Sequence, residues 1–179
     1  MYKKYIKGKI PPQENIFDAV FNKDINKVKE IVNNPGFDIN LQDNYGNTAL
    51  IINALKESPI SLEIAKYLIG KGADPNIENR YGITTLMQAI IKNNNEMAKY
   101  LINSEININF QNKYGTTALI QAINSKNNEI AKYLIDGPPG GTGADLNLQD
   151  TYGNTALTYN VIDFTNNEFA KYLIEKGAN

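Results

Sequence analysis

Residues 134 to 147, LIDGPPGGTGADLN, bring together four glycines, two prolines and a threonine behind a helical pattern. That composition suits a phosphate-binding loop, in which backbone N–H groups cradle phosphates and a lysine reaches the outer oxygens. Such a loop requires G-x-x-x-x-G-K-[ST] between a strand and a helix. Here Thr142 stands five residues after Gly137, no lysine follows Gly143, and the loop trails a helix. The dinucleotide pattern G-x-G-x-x-G fails as well, because Leu146 takes the place of its third glycine. Nucleotide chemistry is not expected.

Asp38-Ile39-Asn40-Leu41-Gln42 and Asp145-Leu146-Asn147-Leu148-Gln149 alternate oxygen donors as a calcium loop does. The glycine such a loop needs at its sixth position is replaced by Asp43 and Asp150, so turn-forming work is expected of these residues instead. The chain has no cysteine and no histidine, which removes disulfides, thiolate or imidazole metal sites and every Ser-His or Cys-His pair. No catalytic residue, cofactor or metal is expected.

The 179 residues suffice for one domain with a real core, and 42% of them are apolar. A formal net charge of −1 gives no electrostatic reason for a nucleic-acid partner. No apolar run approaches the ~20 residues of a membrane span. Lys3, Lys4, Lys7 and Lys9 have no apolar stretch behind them, so residues 1–14 read as a solvated basic leader rather than a signal peptide. Weak surface binding is the sharper alternative for that leader. A soluble chain is expected, cytoplasmic rather than secreted.

The elements that position any site follow from self-similarity. YGNTAL at 45–50 returns as YGITTL at 81–86, YGTTAL at 114–119 and YGNTAL at 152–157, in steps of 36, 33 and 38 residues. AKYLI at 65–69 returns at 98–102, 131–135 and 170–174. Each period reads as two short helices. Thr84 can cap a first helix running to Lys92, with Leu86, Met87, Ala89, Ile90 and Ile91 as its apolar residues. Asn93, Asn94 and Asn95 break it, and Met97, Ala98, Leu101 and Ile102 mark a second helix. An alternating ININFQN stretch after that helix suits a hairpin-like finger. Neither helix can bury its apolar face alone, so the units must stack.

These motifs resemble the ankyrin repeats. The family's D-x-x-G-x-T-P-L-H matches Asp43 to Leu50 and its three copies, and its G-A-D-x-N turn matches Gly72 to Asn76 and Gly143 to Asn147. The resemblance implies an all-α ankyrin-repeat solenoid of helix-turn-helix units joined by short β-hairpin-like fingers. It divides residues 15–179 into a cap-like unit at 15–42 and repeats at 43–78, 79–111, 112–149 and 150–179. The family's histidine is replaced by Ile51, Met87, Ile120 and Thr158, so apolar packing must substitute for its hydrogen bonds. The turn glycine, which permits a left-handed backbone, is present as Gly72, Gly143 and Gly177 but is Glu105 in the third unit.

Two residues separate Ile69 from Gly72, whereas seven separate Ile135 from Gly143. The glycine-rich stretch is therefore a five-residue insertion, at about 137–142. It reads as a neutral surface loop or as a loop that touches a partner. AKYLIEKGAN resembles an internal repeat, so either a longer array or an open apolar C-terminal edge is expected. A monomer is expected, with association through that edge as the alternative.

The family resemblance implies a non-catalytic protein-binding scaffold that holds a protein partner on finger tips and first helices. On the fingers the matching positions are Asn44 and Asn47, Arg80 and Ile83, Lys113 and Thr116, and Thr151 and Asn154. On the exposed face of the first helices they are Ile52, Gln88, Gln121 and Tyr159. Tyr45, Tyr81, Tyr114 and Tyr152 recur near each tip, either packing on the neighbouring finger or facing a partner. Arg80 and Lys113 make a modest positive spot suited to an acidic partner segment. The alternative role is a structural segment of a longer array with no ligand of its own.

Overall fold

The computed structural model describes residues 15–104, 106–162 and 167–179. The basic leader and the turn residue Glu105 lie outside these described residues, as do the expectations attached to them. Ten helices run through the described residues in consecutive pairs: α1 Asn15–Phe21 with α2 Ile25–Val32, α3 Ala49–Asn53 with α4 Pro59–Gly70, α5 Thr85–Ile91 with α6 Asn95–Ile102, α7 Ala118–Asn124 with α8 Asn128–Asp136, and α9 Ala156–Ile162 with α10 Asn167–Glu175. The first helices pack in a row, α1 on α3, α3 on α5, α5 on α7 and α7 on α9, and α2, α4, α6 and α8 form a second row. This is an all-α solenoid.

Capping chemistry sets the helix starts. The side chains of Thr48, Thr84 and Thr117 accept the backbone N–H groups of Ile51, Met87 and Ile120 and open α3, α5 and α7. Asp24, Ser58, Asn94 and Asn127 do the same for α2, α4, α6 and α8. The break inside a unit is a left-handed residue, Asn93 at φ 53°, and Lys23 and Lys126 take the same conformation at 61° and 57°. These are short helices, marginal in isolation, so stacking must supply their stability.

Leu68, Leu101 and Leu134 are fully buried between the layers together with Ala65, Ala98 and Ala131, whose small side chains let neighbouring helices approach. Full burial of one such leucine stabilises the fold by about 1.5–3 kcal/mol. Ile51, Met87 and Ile120 are also buried, so apolar packing does stand in for the missing histidines. Thr158 is half-buried and exchanges hydroxyl contacts with Thr155.

Two features of backbone shape bear on these expectations. No strand forms among the described residues, and the alternating stretch after α6 is not extended pairing. There Asn107 accepts the N–H of Asn109 on its side chain and that of Phe110 on its carbonyl, a local turn that competes with a strand ladder. Second, Gly72 and Gly177 are left-handed, at φ 94° and 100°, but Gly143 is not, and Gly137 at 78° takes that role. Ala73 donates to Leu68 and Ala178 to Leu173, five residues back, whereas Ala144 donates to Leu134, ten residues back. The insertion therefore loops out of an otherwise unchanged turn. It brings Gly143 so close to α8 that an added Cβ would lie 2.0 Å from the Ile135 carbonyl oxygen.

Candidate functional site

Each finger tip is built around one side-chain oxygen. Asp43 Oδ1 accepts the N–H groups of Tyr45 and Asn47, both at 2.8 Å, while the Asp43 N–H donates to the Asn47 carbonyl across the turn. Asn79, Asn112 and Asp150 repeat this arrangement under Tyr81, Tyr114 and Tyr152. These four keystones were not among the residues singled out as a site. Their signal is the recurrent Asp or Asn at the start of each tip, and turn chemistry gives that recurrence its reason.

Neighbouring tips are tied to one another. The Arg80 N–H donates to the Tyr45 carbonyl at 2.9 Å, and the Thr151 N–H to the Tyr114 carbonyl at 3.0 Å. Gln42 Nε2 spans from Gly46 to the Glu78 carbonyl, and Gln111 Nε2 from Gly115 to the Gln149 carbonyl. At the middle junction Glu78 stands where a glutamine would, and its carboxylate accepts the Lys113 N–H at 3.0 Å. Gly46 permits this approach, since a Cβ there would lie 2.9 Å from the Arg80 backbone nitrogen. The donors that resembled calcium ligands serve the same stacking: Asn40 Oδ1 accepts from Asp74, and Asn147 Oδ1 from Asn179.

The tips are thus rigid, and the tyrosines stand out from them. Tyr81 is 62% exposed and Tyr152 84%, while Tyr45 at 37% and Tyr114 at 48% are partly covered. Tyr114 leans on the preceding finger, with its ring against Gly82 and beneath Lys113 Nζ. Asn44, Arg80, Lys113 and Thr151 are exposed beside them, and Lys113 Nζ donates to the Arg80 carbonyl. Asn47, Ile83, Thr116 and Asn154 lie half-buried at the bases of the tips, where Asn47 Oδ1 accepts from Asn79 at 2.8 Å.

On the first helices the expected exposed face is partly wrong. Ile52 is fully buried and Gln88 nearly so, each covered by the residues packed around its own helix. Gln121 and Tyr159 remain half-exposed, and Ile91, three residues beyond Gln88, is the exposed apolar residue of α5. The Tyr159 hydroxyl donates to Asp150 Oδ2 at 2.7 Å. Burial pushes the Asp150 carboxyl up, but bonds from the Asn154 N–H, the Tyr159 hydroxyl and the Tyr152 N–H outweigh it and hold the group low.

The outer helices differ. Their tyrosines are half-buried beneath lysines of the preceding layer: Lys29 over Tyr67, Lys66 over Tyr100, Lys99 over Tyr133 and Lys132 over Tyr172, all between 5.5 and 5.8 Å. These rings brace the stack, whereas those at the tips face solvent. In the inserted loop the Gly137 N–H donates back to the Tyr133 carbonyl of α8 and the Gly141 N–H to the Pro138 carbonyl. The loop overhangs Ile102, Ile106 and Ile108 to form an open groove of about 540 Å³. Among the described residues no helix is long and apolar enough to cross a membrane.

The family pattern described as "Ankyrin repeats (3 copies)" matches residues 16–112, 57–150 and 106–179. Over 66 residues the chain is 38% identical to the NAD-dependent deacetylase sir2B of Dictyostelium discoideum. That stretch is 37% of this chain but 8% of that protein, so the similarity does not extend to a deacetylase activity.

Proposed function

The chain belongs to the ankyrin-repeat family, and on that premise we propose that it is a non-catalytic scaffold that grips a protein partner with its finger tips. Ankyrin repeats are generally protein-interaction modules and are typically non-catalytic. The observation that carries the reading is the row of exposed tyrosines on backbone-locked turns. A rigid aromatic ring with a hydroxyl contributes contact area with little entropy to lose, which is why tyrosine and arginine dominate binding energy at interfaces. Asn44, Tyr45, Arg80, Tyr81, Lys113, Tyr114, Thr151 and Tyr152 form the contact row, with Gln121 and Tyr159 behind it. Asn47, Ile83, Thr116 and Asn154 hold the tips in place. Ile52 and Gln88 are too buried to take part.

A photo-crosslinking residue placed at Tyr81 or Tyr114, and separately at Lys66 or Lys99, tests the face in cells of the source organism. Protein adducts from the tip positions and not from the outer helices are expected. Adducts from the outer helices alone overturn the reading.

One observation favours a second reading, that the chain is a segment of a longer array. Val161 is 51% exposed and Ile174 58%, although the equivalent Ile90, Ile123, Ile102 and Ile135 are buried by the layer that follows each. This end face presents two apolar positions that the inner layers cover. Val161→Lys with Ile174→Lys should abolish any concentration-dependent association seen by sedimentation, and association unchanged in that variant speaks against the face.

A further inference from the structure

Arg80 is the single arginine of the chain. It sits at an exposed tip in the middle of the row, with its main chain held on both sides, the N–H by the Tyr45 carbonyl and the carbonyl by Lys113 Nζ. Its guanidinium has no hydrogen-bond or ion-pair partner among the described residues. The two nearby carboxylates are already in use, Asp43 on the Tyr45 and Asn47 N–H groups and Glu78 on the Lys113 N–H. A fork of donors on a fixed backbone, beside exposed tyrosines, has the shape for bidentate contact with a carboxylate or phosphate. We propose that the tip row reads an extended partner segment that sets one carboxylate against Arg80 and places prolines three residues to either side, between successive tyrosines. This deepens the scaffold reading above and rests on it.

Charge selects the anion. Asp43 and Glu78 line the same groove of about 390 Å³ as Arg80, so a dianionic phosphate meets roughly twice the repulsion that a single carboxylate does. Geometry selects the backbone. A strand cannot add to the tips, because no strand edge is present among the described residues and neighbouring tips already bond one another. Packed helical layers repeat every ~8–10 Å. A polyproline II chain advances ~3.1 Å per residue, or roughly 9 Å per three-residue turn, so every third residue meets a new finger. Its stiffness also reduces the entropy lost on binding.

The test pans a phage library of random dodecamers on the whole chain and measures the synthesised winners by fluorescence anisotropy, with circular dichroism to confirm that each protein variant folds. The expected winners carry a central Asp or Glu with proline three residues away. Glu→Gln in the peptide or Arg80→Gln in the protein weakens them by on the order of tenfold or more, and Arg80→Lys restores only part. An empty selection, winners without an acidic residue, or a phosphoserine twin that binds more tightly than glutamate overturns the inference. Winners that need Tyr81 and Tyr114 but ignore Arg80→Gln uphold the scaffold and overturn the carboxylate reader. Winners indifferent to all three positions overturn both.

Discussion

The Tyr133 hydroxyl on α8 donates to Asn103 Oδ1 at the end of α6, 2.8 Å away, and stitches two outer helices together. Tyr67 makes the same bond to Asn33 at 3.2 Å and Tyr172 to Asp136 at 2.8 Å. Tyr100 has no such acceptor, because Gly70 stands at the corresponding end of α4. Apart from Lys66 over Tyr100, the α4–α6 seam lacks the polar bonds of its neighbours among the described residues.

Gly70→Asn should therefore stabilise the protein. The glycine is helical, a Cβ there meets nothing within 4 Å, and the new amide oxygen can accept from Tyr100. Relief of the glycine penalty and one net hydrogen bond suggest about 1–2 kcal/mol. Urea unfolding of the single variant and of the Gly70→Asn/Tyr100→Phe pair checks this. If the pair gains as much as the single variant, the hydroxyl has no part in it.

Removing residues 138–142 should leave the fold intact. Asp136 and Gly137 would then link Ile135 to Gly143, as Gly70 and Lys71 link Ile69 to Gly72. Shortening the closure should raise stability by on the order of 1 kcal/mol. A deletion variant that unfolds would mean that the loop holds the turn together.

Asp150 predicts an acid sensitivity at the last tip. Its folded pKa is lowered, so the stability it contributes is present above the ordinary value of 3.8 and is lost as pH falls through the lower folded value. Asp150→Asn keeps an acceptor for the Tyr152 and Asn154 N–H groups, as Asn79 and Asn112 already do. Melting temperature against pH should fall less steeply below about pH 4 in the variant. Superimposable curves would assign the acid sensitivity elsewhere, with Asp136 and Glu129, both also lowered, as the alternatives.

Lys23 predicts a second rise of stability with pH, on the alkaline side. Burial, then repulsion from Lys56, lowers its pKa to about 8, although its ammonium donates to the Asn53 carbonyl at 2.7 Å. The unfolded chain holds that proton up to the ordinary 10.5, so stability should rise as pH climbs above about 8. The window closes near 10, where the raised pKa values of Tyr159 and Tyr172 pull stability back down. Lys23→Met should flatten the rise in chemical denaturation at fixed urea; a rise that persists rules Lys23 out as its source.

Much of this protein is legible in its residues. The recurrence of YGNTAL and AKYLI determines the stacked helix pairs, since a short amphipathic helix has nowhere to bury its apolar face except on its neighbour. The threonine caps, the break at Asn93 and the place of the five added residues follow from local chemistry in the same way. Contacts between layers decided the rest. Ile52 occupies the helix position held elsewhere by Gln88 and Gln121, yet stacking encloses it completely, because burial depends on which neighbours cover a face and not on spacing along one helix. The left-handed turn passed from Gly143 to Gly137, which stands directly after α8. Tyr81 and Tyr100 are the same residue type, each in a recurring motif. Only the fold sets one against solvent beside Arg80 and lays the other beneath a lysine, because the surroundings that decide between contact and support come from chain segments about a repeat away.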